Sequence, residues 1–142
     1  MARPNDVGVG VAVIIVDAAK NYLLLKRQGA HAANTWAVPG GWVDRTDTSL
    51  LDVVRREAKE EVNVTVLDAV QVGVTTEDHP DKGFRSVTVY FLCTNWYGPV
   101  RIMEPEKCSA TMFYPLSCDL TENTFPGLAQ GVEFAKKHLD KF

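Results

Sequence analysis

Pro39, Gly40 and Gly41 stand in succession, and no helix runs through such a triplet, because proline lacks an amide proton and glycine has the most backbone freedom to lose. A tight turn is predicted there. A polar loop follows over residues 44–48, and then the pattern changes: Leu50, Leu51, Val54, Ala58 and Val62 recur at three- and four-residue intervals, which is the period of a helix. The spacing predicts a helix over 50–62. Ser49 is placed to cap its start, with Asp52 as the weak second half of a capping box, and Asn63 to close its end in the left-handed conformation.

The flanks read as strands. Residues 7–16 are rich in Val and Ile, 17–21 supply a polar turn, and 22–26 form a second short apolar run, so the two segments read as a hairpin. Gly8 and Gly10 sit on alternate positions of the first segment, which implies that something approaches the backbone there. Residues 64–74 and 86–94 read as further strands, separated by a stretch of Asp, His, Pro and Gly over 75–83 that reads as a long surface loop. A short strand is expected at 111–114. The closing helix is expected to start near Pro126 with Phe125 packed at its beginning, and it carries Leu128, Val132, Phe134, Ala135 and Leu139. A strand-rich middle with two helices makes a layered α/β domain, and 142 residues at 46% hydrophobic content suit one domain over 1–142.

Charge and composition narrow the function. Fifteen Lys and Arg against eighteen Asp and Glu give a net charge of -3, so no general field draws in polymeric nucleic acid. The longest apolar run, residues 9–16, is too short to cross a bilayer, and no signal-peptide core follows Met1. A cytoplasmic protein with no membrane partner is expected. Cys93, Cys108 and Cys118 are too few and too irregularly spaced for a thiolate metal site or a disulfide framework.

Chemistry concentrates on the first helix. Glu57, Glu60 and Glu61 lie three and four residues apart, so three carboxylates cluster across one turn, in the half of the helix where the macrodipole disfavours anions. Either the face is solvated and knitted by pairs such as Arg56 with Glu60, or a divalent cation compensates it. Oxygen-only ligands favour Mg²⁺, with Mn²⁺ as the alternative, over zinc. Arg27, at the end of the second strand, is a candidate for bidentate phosphate binding.

The segment from Gly40 to Val64 resembles the signature of the Nudix hydrolase family, G-x5-E-x7-R-E-U-x-E-E-x-G-U with U aliphatic. Arg56, Glu57, Ala58, Glu60, Glu61 and Val64 match in order and spacing. The resemblance implies a Nudix fold, a mixed β-sheet sandwiched between helices. It also departs from the pattern. Gly41 lies fifteen residues before Arg56 instead of fourteen, the position of the first glutamate falls on Thr48 or Asp47 according to the direction of counting, and the late glycine is Asn63.

Residues 26–41 and the stretch Met103-Glu-Pro-Glu-Lys-Cys108 are similar to a eukaryotic, MutT-like subgroup of the family, nucleoside triphosphate diphosphatases that favour guanine or modified purine nucleotides and are often homodimers. What this implies for the residues is as follows. Glu57, Glu60 and Glu61 hold metal together with Gly41, Asp47 is a stand-in for the missing glutamate, and Arg56 orients a carboxylate. Glu106 is the best off-helix candidate to assist the metal or the attacking water, ahead of Glu104 and Glu77. Apart from the resemblance, Arg27, His31 and Trp42 are placed as candidates to contact the nucleotide, Trp42 either stacking on a base or covering the cluster. The implied reaction splits a small-molecule nucleoside triphosphate into monophosphate and pyrophosphate. A diphosphatase for nucleoside diphosphates linked to another moiety, and a non-catalytic nucleotide-binding domain, are the competing readings.

Overall fold

The computed structural model describes residues 7–29, 33–120 and 123–141. Its elements in chain order are β1 (Val7–Ile15), β2 (Asn21–Arg27), β3 (Trp36–Ala37), β4 (Gly40–Trp42), α1 (Leu50–Val62), β5 (Thr65–His79), β6 (Phe84–Tyr97), β7 (Cys108–Pro115) and α2 (Leu128–Leu139). One sheet is mixed, with strand order β4-β1-β6-β5, and the other is antiparallel, β3-β2-β7. β1 runs parallel to β6 and antiparallel to β4. This is the layered α/β arrangement expected, with α1 on one side and α2 on the other.

β1 explains why its sequence is apolar without alternation. Val11, Val13 and Ile15 enter the core under α1 beside Val54, Ala58 and Val62. Ala12, Ile14 and Val16 enter the opposite core with Leu128, Val132 and Ala135 of α2. A strand covered on both faces has no polar side to show. The glycines of β1 mark close approach, as expected: a Cβ on Gly8 would stand 2.6 Å from the Trp42 ring, and one on Gly10 would stand 3.1 Å from the Gly41 carbonyl.

α1 has the predicted bounds and caps. Ser49 Oγ accepts from the Asp52 amide at 3.1 Å, and Asn63 takes φ 60° with its N–H turned back on the Ala58 and Lys59 carbonyls. Asp52 does not complete a capping box, because its carboxylate takes the Thr48 hydroxyl instead. α2 starts at Leu128, two residues after Pro126, behind Gly127 at φ 89°.

The stretch expected as a long loop is different. β5 continues to His79 and turns within four residues into β6. Thr75, Glu77 and His79 are buried while Thr76 and Asp78 are exposed, so residues 75–79 alternate as a strand does, but with polar side chains inward. Their composition resembles a loop because the interior they face is polar. β7 is likewise longer than expected, and Trp96 stacks on Phe113 at 6.0 Å.

Asn63 supplies a test. Left-handed backbone costs an ordinary L-residue about 1–2 kcal/mol and glycine nothing, so Asn63→Ala should lower stability in urea titrations by about that much. Asn63→Gly should stay within about 1 kcal/mol of wild type.

Candidate active site

The site is built where β4 runs beneath the second half of α1. Glu61 Oε2 accepts a hydrogen bond from the Gly40 amide at 2.9 Å, which ties the helix to the strand. Glu57, one turn earlier, lays its carboxylate where a Cβ on Gly41 would stand, so only glycine at 41 leaves room for it. Gly41 therefore contributes space, and within the sheet it stands opposite Val11.

Arg56 pairs with the Asp47 carboxylate and with Glu57 Oε1 at 3.3 Å, and its second nitrogen reaches the Trp42 carbonyl at 3.3 Å. The expected Arg56–Glu60 pair does not form, since Glu60 is exposed and outside the cavity while Asp47 and Glu57 flank the guanidinium. Asp47 points at Arg56 and accepts from the Asp44 amide at 2.6 Å, leaving its side chain only 8% exposed. Thr48 is exposed and caps toward Asp52.

A cavity of about 610 Å³ opens over these groups, lined by Arg27, Arg56, Glu57, Glu61, Glu104 and Glu106 among others. Residues 101–103 are tied to the end of α1 by Arg101 N–H to the Val62 carbonyl and Met103 N–H to the Glu61 carbonyl, at 3.0 and 3.1 Å. That delivers Glu104, half-buried, to a point where its charge acts on both Glu57 and Glu61. Glu106 lies exposed on the cavity's rim.

Burial and crowding raise the carboxyls. Burial is the larger cause for Glu61, with Glu57 and Glu104 adding to it against the Gly40 bond and Arg27, and together they push it up from 4.5 to about 8. Glu57 is raised mainly by burial, with Glu60 and Glu104 adding and Arg56 opposing. Burial lowers the Arg27 pKa, and Glu61 resists that shift. Among the described residues, no three His, Cys, Asp or Glu side chains converge as a ready metal cage, because Glu57 is drawn to Arg56 and Glu61 to Gly40. The donor set still fits a hard divalent cation: the cavity's glutamates are all oxygen donors, and a cation would relieve their mutual repulsion.

A second cavity, about 430 Å³, adjoins the first and shares Arg27, Gly40, Gly41 and Trp42 with it. Its walls are aromatic. Trp42, 50% exposed, tilts toward Phe84 at 5.7 Å, Phe84 stacks on His79 at 4.6 Å, and the Arg27 guanidinium lies 4.8 Å over the Phe125 ring. Trp36 lies half-buried beneath Lys26 at 5.7 Å. His31 falls outside the described residues. Three features escaped the sequence reading: the Gly40 amide, the wall formed by Phe125, and the buried polar group around Glu77. Only the inward alternation of Thr75, Glu77 and His79 signals the last of these.

The NUDIX domain family matches residues 6–126 of the chain. The chain belongs to the Nudix family. Among solved structures, this Nudix domain is similar to a MutT NUDIX hydrolase from Burkholderia pseudomallei, at 27% identity, TM-score 0.83, and 91% and 98% of the two chains covered. It shares its fold with the NUDIX domain of Shewanella oneidensis NrtR, solved with ADP ribose, at 23% identity and TM-score 0.80 over 95% and 90% of the chains. The same holds for a C. elegans Ap4A hydrolase, at 19% identity and TM-score 0.76 over 95% and 99%. No curated protein sequence matches it. Family and neighbours make it a Nudix pyrophosphohydrolase, one of a group of enzymes that generally use divalent metal ions. No helix among the described residues is long and apolar enough to cross a membrane.

The raised Glu61 carboxyl has a measurable consequence. Between 4.5 and about 8, the unfolded chain has released this proton while the folded one retains it, so stability falls as pH rises through that window. Thermal melts of cation-free protein should show Tm declining from about pH 5 to about pH 8. Glu61→Gln, which keeps an oxygen for the Gly40 amide, should flatten the decline.

Proposed function

We propose that this Nudix pyrophosphohydrolase cleaves a nucleoside triphosphate to monophosphate and pyrophosphate with Mg²⁺, Mn²⁺ being the alternative ion. The observation that carries the reading is the adjacency of the two cavities. One is lined by carboxylates and arginines and the other by aromatic rings, and they meet at Arg27, Gly40, Gly41 and Trp42. A phosphate chain suits the first and a nucleobase the second. The aromatic cavity has room for a purine, and the preference for guanine or a modified purine rests on the sequence resemblance. A cytoplasmic location, a single domain over 1–142 and a homodimer complete the reading.

Glu57 and Glu61 would hold the cation, with Glu60 at its outer margin. When bound, it neutralises phosphoryl oxygens and acidifies water. Arg56 positions Glu57, and Asp47 positions Arg56 in turn. Arg27 binds phosphate where the cavities meet, and Trp42 and Phe125 flank the base. Glu104, and not Glu106, is the off-helix carboxylate that accepts the proton, because its charge is felt by both Glu57 and Glu61 and its side chain is the more buried of the two.

Product analysis tests the reaction: triphosphate should become monophosphate and pyrophosphate in equal amounts, with no early orthophosphate. Nucleoside diphosphate plus orthophosphate would refute the reading, and preferential cleavage of ADP-ribose would move it to the linked diphosphates. Loss of a general base costs about 10²–10⁴-fold in rate, so Glu104→Gln should lower kcat by that order while Glu106→Gln stays near wild type. The reverse ranking would return the role to Glu106.

A further inference from the structure

Ser86 and Thr88 give the aromatic cavity a hydroxyl-lined wall whose protons can be counted. Glu77 is 4% exposed, yet its Oε1 accepts from both Ser86 Oγ at 2.9 Å and Thr88 Oγ1 at 2.6 Å. These residues face one another across the β5–β6 ladder, Glu77 opposite Ser86 and Thr75 opposite Thr88, so their side chains share a face. Ser86 and Thr88 line the cavity, whereas Glu77 lies behind them. On its far side Glu77 Oε2 is buried with no hydrogen-bond partner among the described residues, 2.8 Å from where a Cβ on Gly127 would stand.

A hydroxyl has one proton and two lone pairs. Ser86 gives its proton to Glu77, so the His79 Nε2 that lies 2.9 Å from Ser86 Oγ must itself carry a proton and donate it. Thr88 likewise gives its proton to Glu77. The hydroxyls therefore have lone pairs, and no protons, left for the cavity.

We infer that this cavity reads the N–H edge of a base: Glu77 draws the Ser86 and Thr88 protons behind the wall, and the hydroxyl oxygens accept from an amino or ring N–H group of the substrate. The proposal rests on the nucleotide reading above and adds a rule of selection. A purine with a donor toward this wall is accepted, and the same ring without that donor leaves the part-buried Thr88 oxygen without a donor and Ser86 with His79 alone. Glu77 is a positioning residue here, acting through the two hydroxyls, and Ser86 and Thr88 determine specificity.

Two matched substrate pairs test it: ATP against purine riboside triphosphate, which lacks the 6-amino group, and GTP against ITP, which lacks the 2-amino group. An unpaired buried acceptor costs about 1–3 kcal/mol, or about five- to 150-fold, so at least one pair should differ by that factor in kcat/KM. Thr88→Val and Ser86→Ala should each drive the ratio toward one, while Thr88→Ser preserves it. Nitrogen NMR of His79 should show Nε2 protonated. Equal kcat/KM within both pairs, a ratio untouched by either variant, or an unprotonated Nε2 would overturn the inference while leaving the hydrolase reading intact. If no triphosphate is hydrolysed, the function fails separately, and binding of the matching monophosphates still decides the base readout by the same ratios.

Discussion

The hydrogen bond from the Gly40 amide to Glu61 sets the terms for the rest of the site. A carboxylate this buried needs a donor, and here the donor is backbone, held by the pairing of β4 with β1. The strand must come so close to β1 that a Cβ on Gly40 would collide with the Val11 carbonyl. Gly41 must then be bare as well, because Glu57 occupies the space beside it. Two adjacent glycines thus let a helix bring two carboxylates down onto a sheet, and burial, with repulsion from neighbouring carboxylates added, raises both carboxyls.

The lengthened loop is accommodated by a change of partner. Asp47 has a shorter side chain than the glutamate of the family pattern, and the loop folds back so that Asp47 accepts from the Asp44 amide while pairing with Arg56. Arg56 in turn contacts Glu57 and the Trp42 carbonyl. An extra residue therefore does not detach the loop from the site. It acts at one remove, fixing an arginine that fixes a carboxylate, and Thr48 is released to the start of the helix.

What was legible in the sequence was local. α1 could be read with both caps because Ser49, Asn63 and the apolar period lie within a few residues of one another. The three glutamates were legible for the same reason. Glu61's partner was not, since a backbone amide has no letter of its own. Nor was the placing of Glu104 in the same cavity as Glu57 and Glu61, which depends on how residues 101–103 hang from the end of α1. Residues 75–79 misled for a physical reason: outside a binding cavity, inward polar residues are costly and rare, so a polar stretch is read as a loop. Its hydrogen bonds to β6 show the opposite.

Arg27 joins the two halves of the site. At the end of β2 it lines both cavities, and its electrostatic partner in the acidic one is Glu61, while its guanidinium lies over Phe125 in the other. A cation over an aromatic face gains about 0.5–2 kcal/mol, more as water is excluded, so the side chain can be held at the boundary by contacts of both kinds. Phe125 is fixed in turn by the hydrogen bond its backbone N–H donates to the Trp36 carbonyl at 2.8 Å, which links the segment leading into α2 to β3. The lengths of chain on either side of the boundary, β2 with β4 and the approach to α2, thus meet at one guanidinium. A substrate that places a phosphate there and a ring against Phe125 engages both cavities at once, and the spacing between its charge and its ring is set by the reach of Arg27.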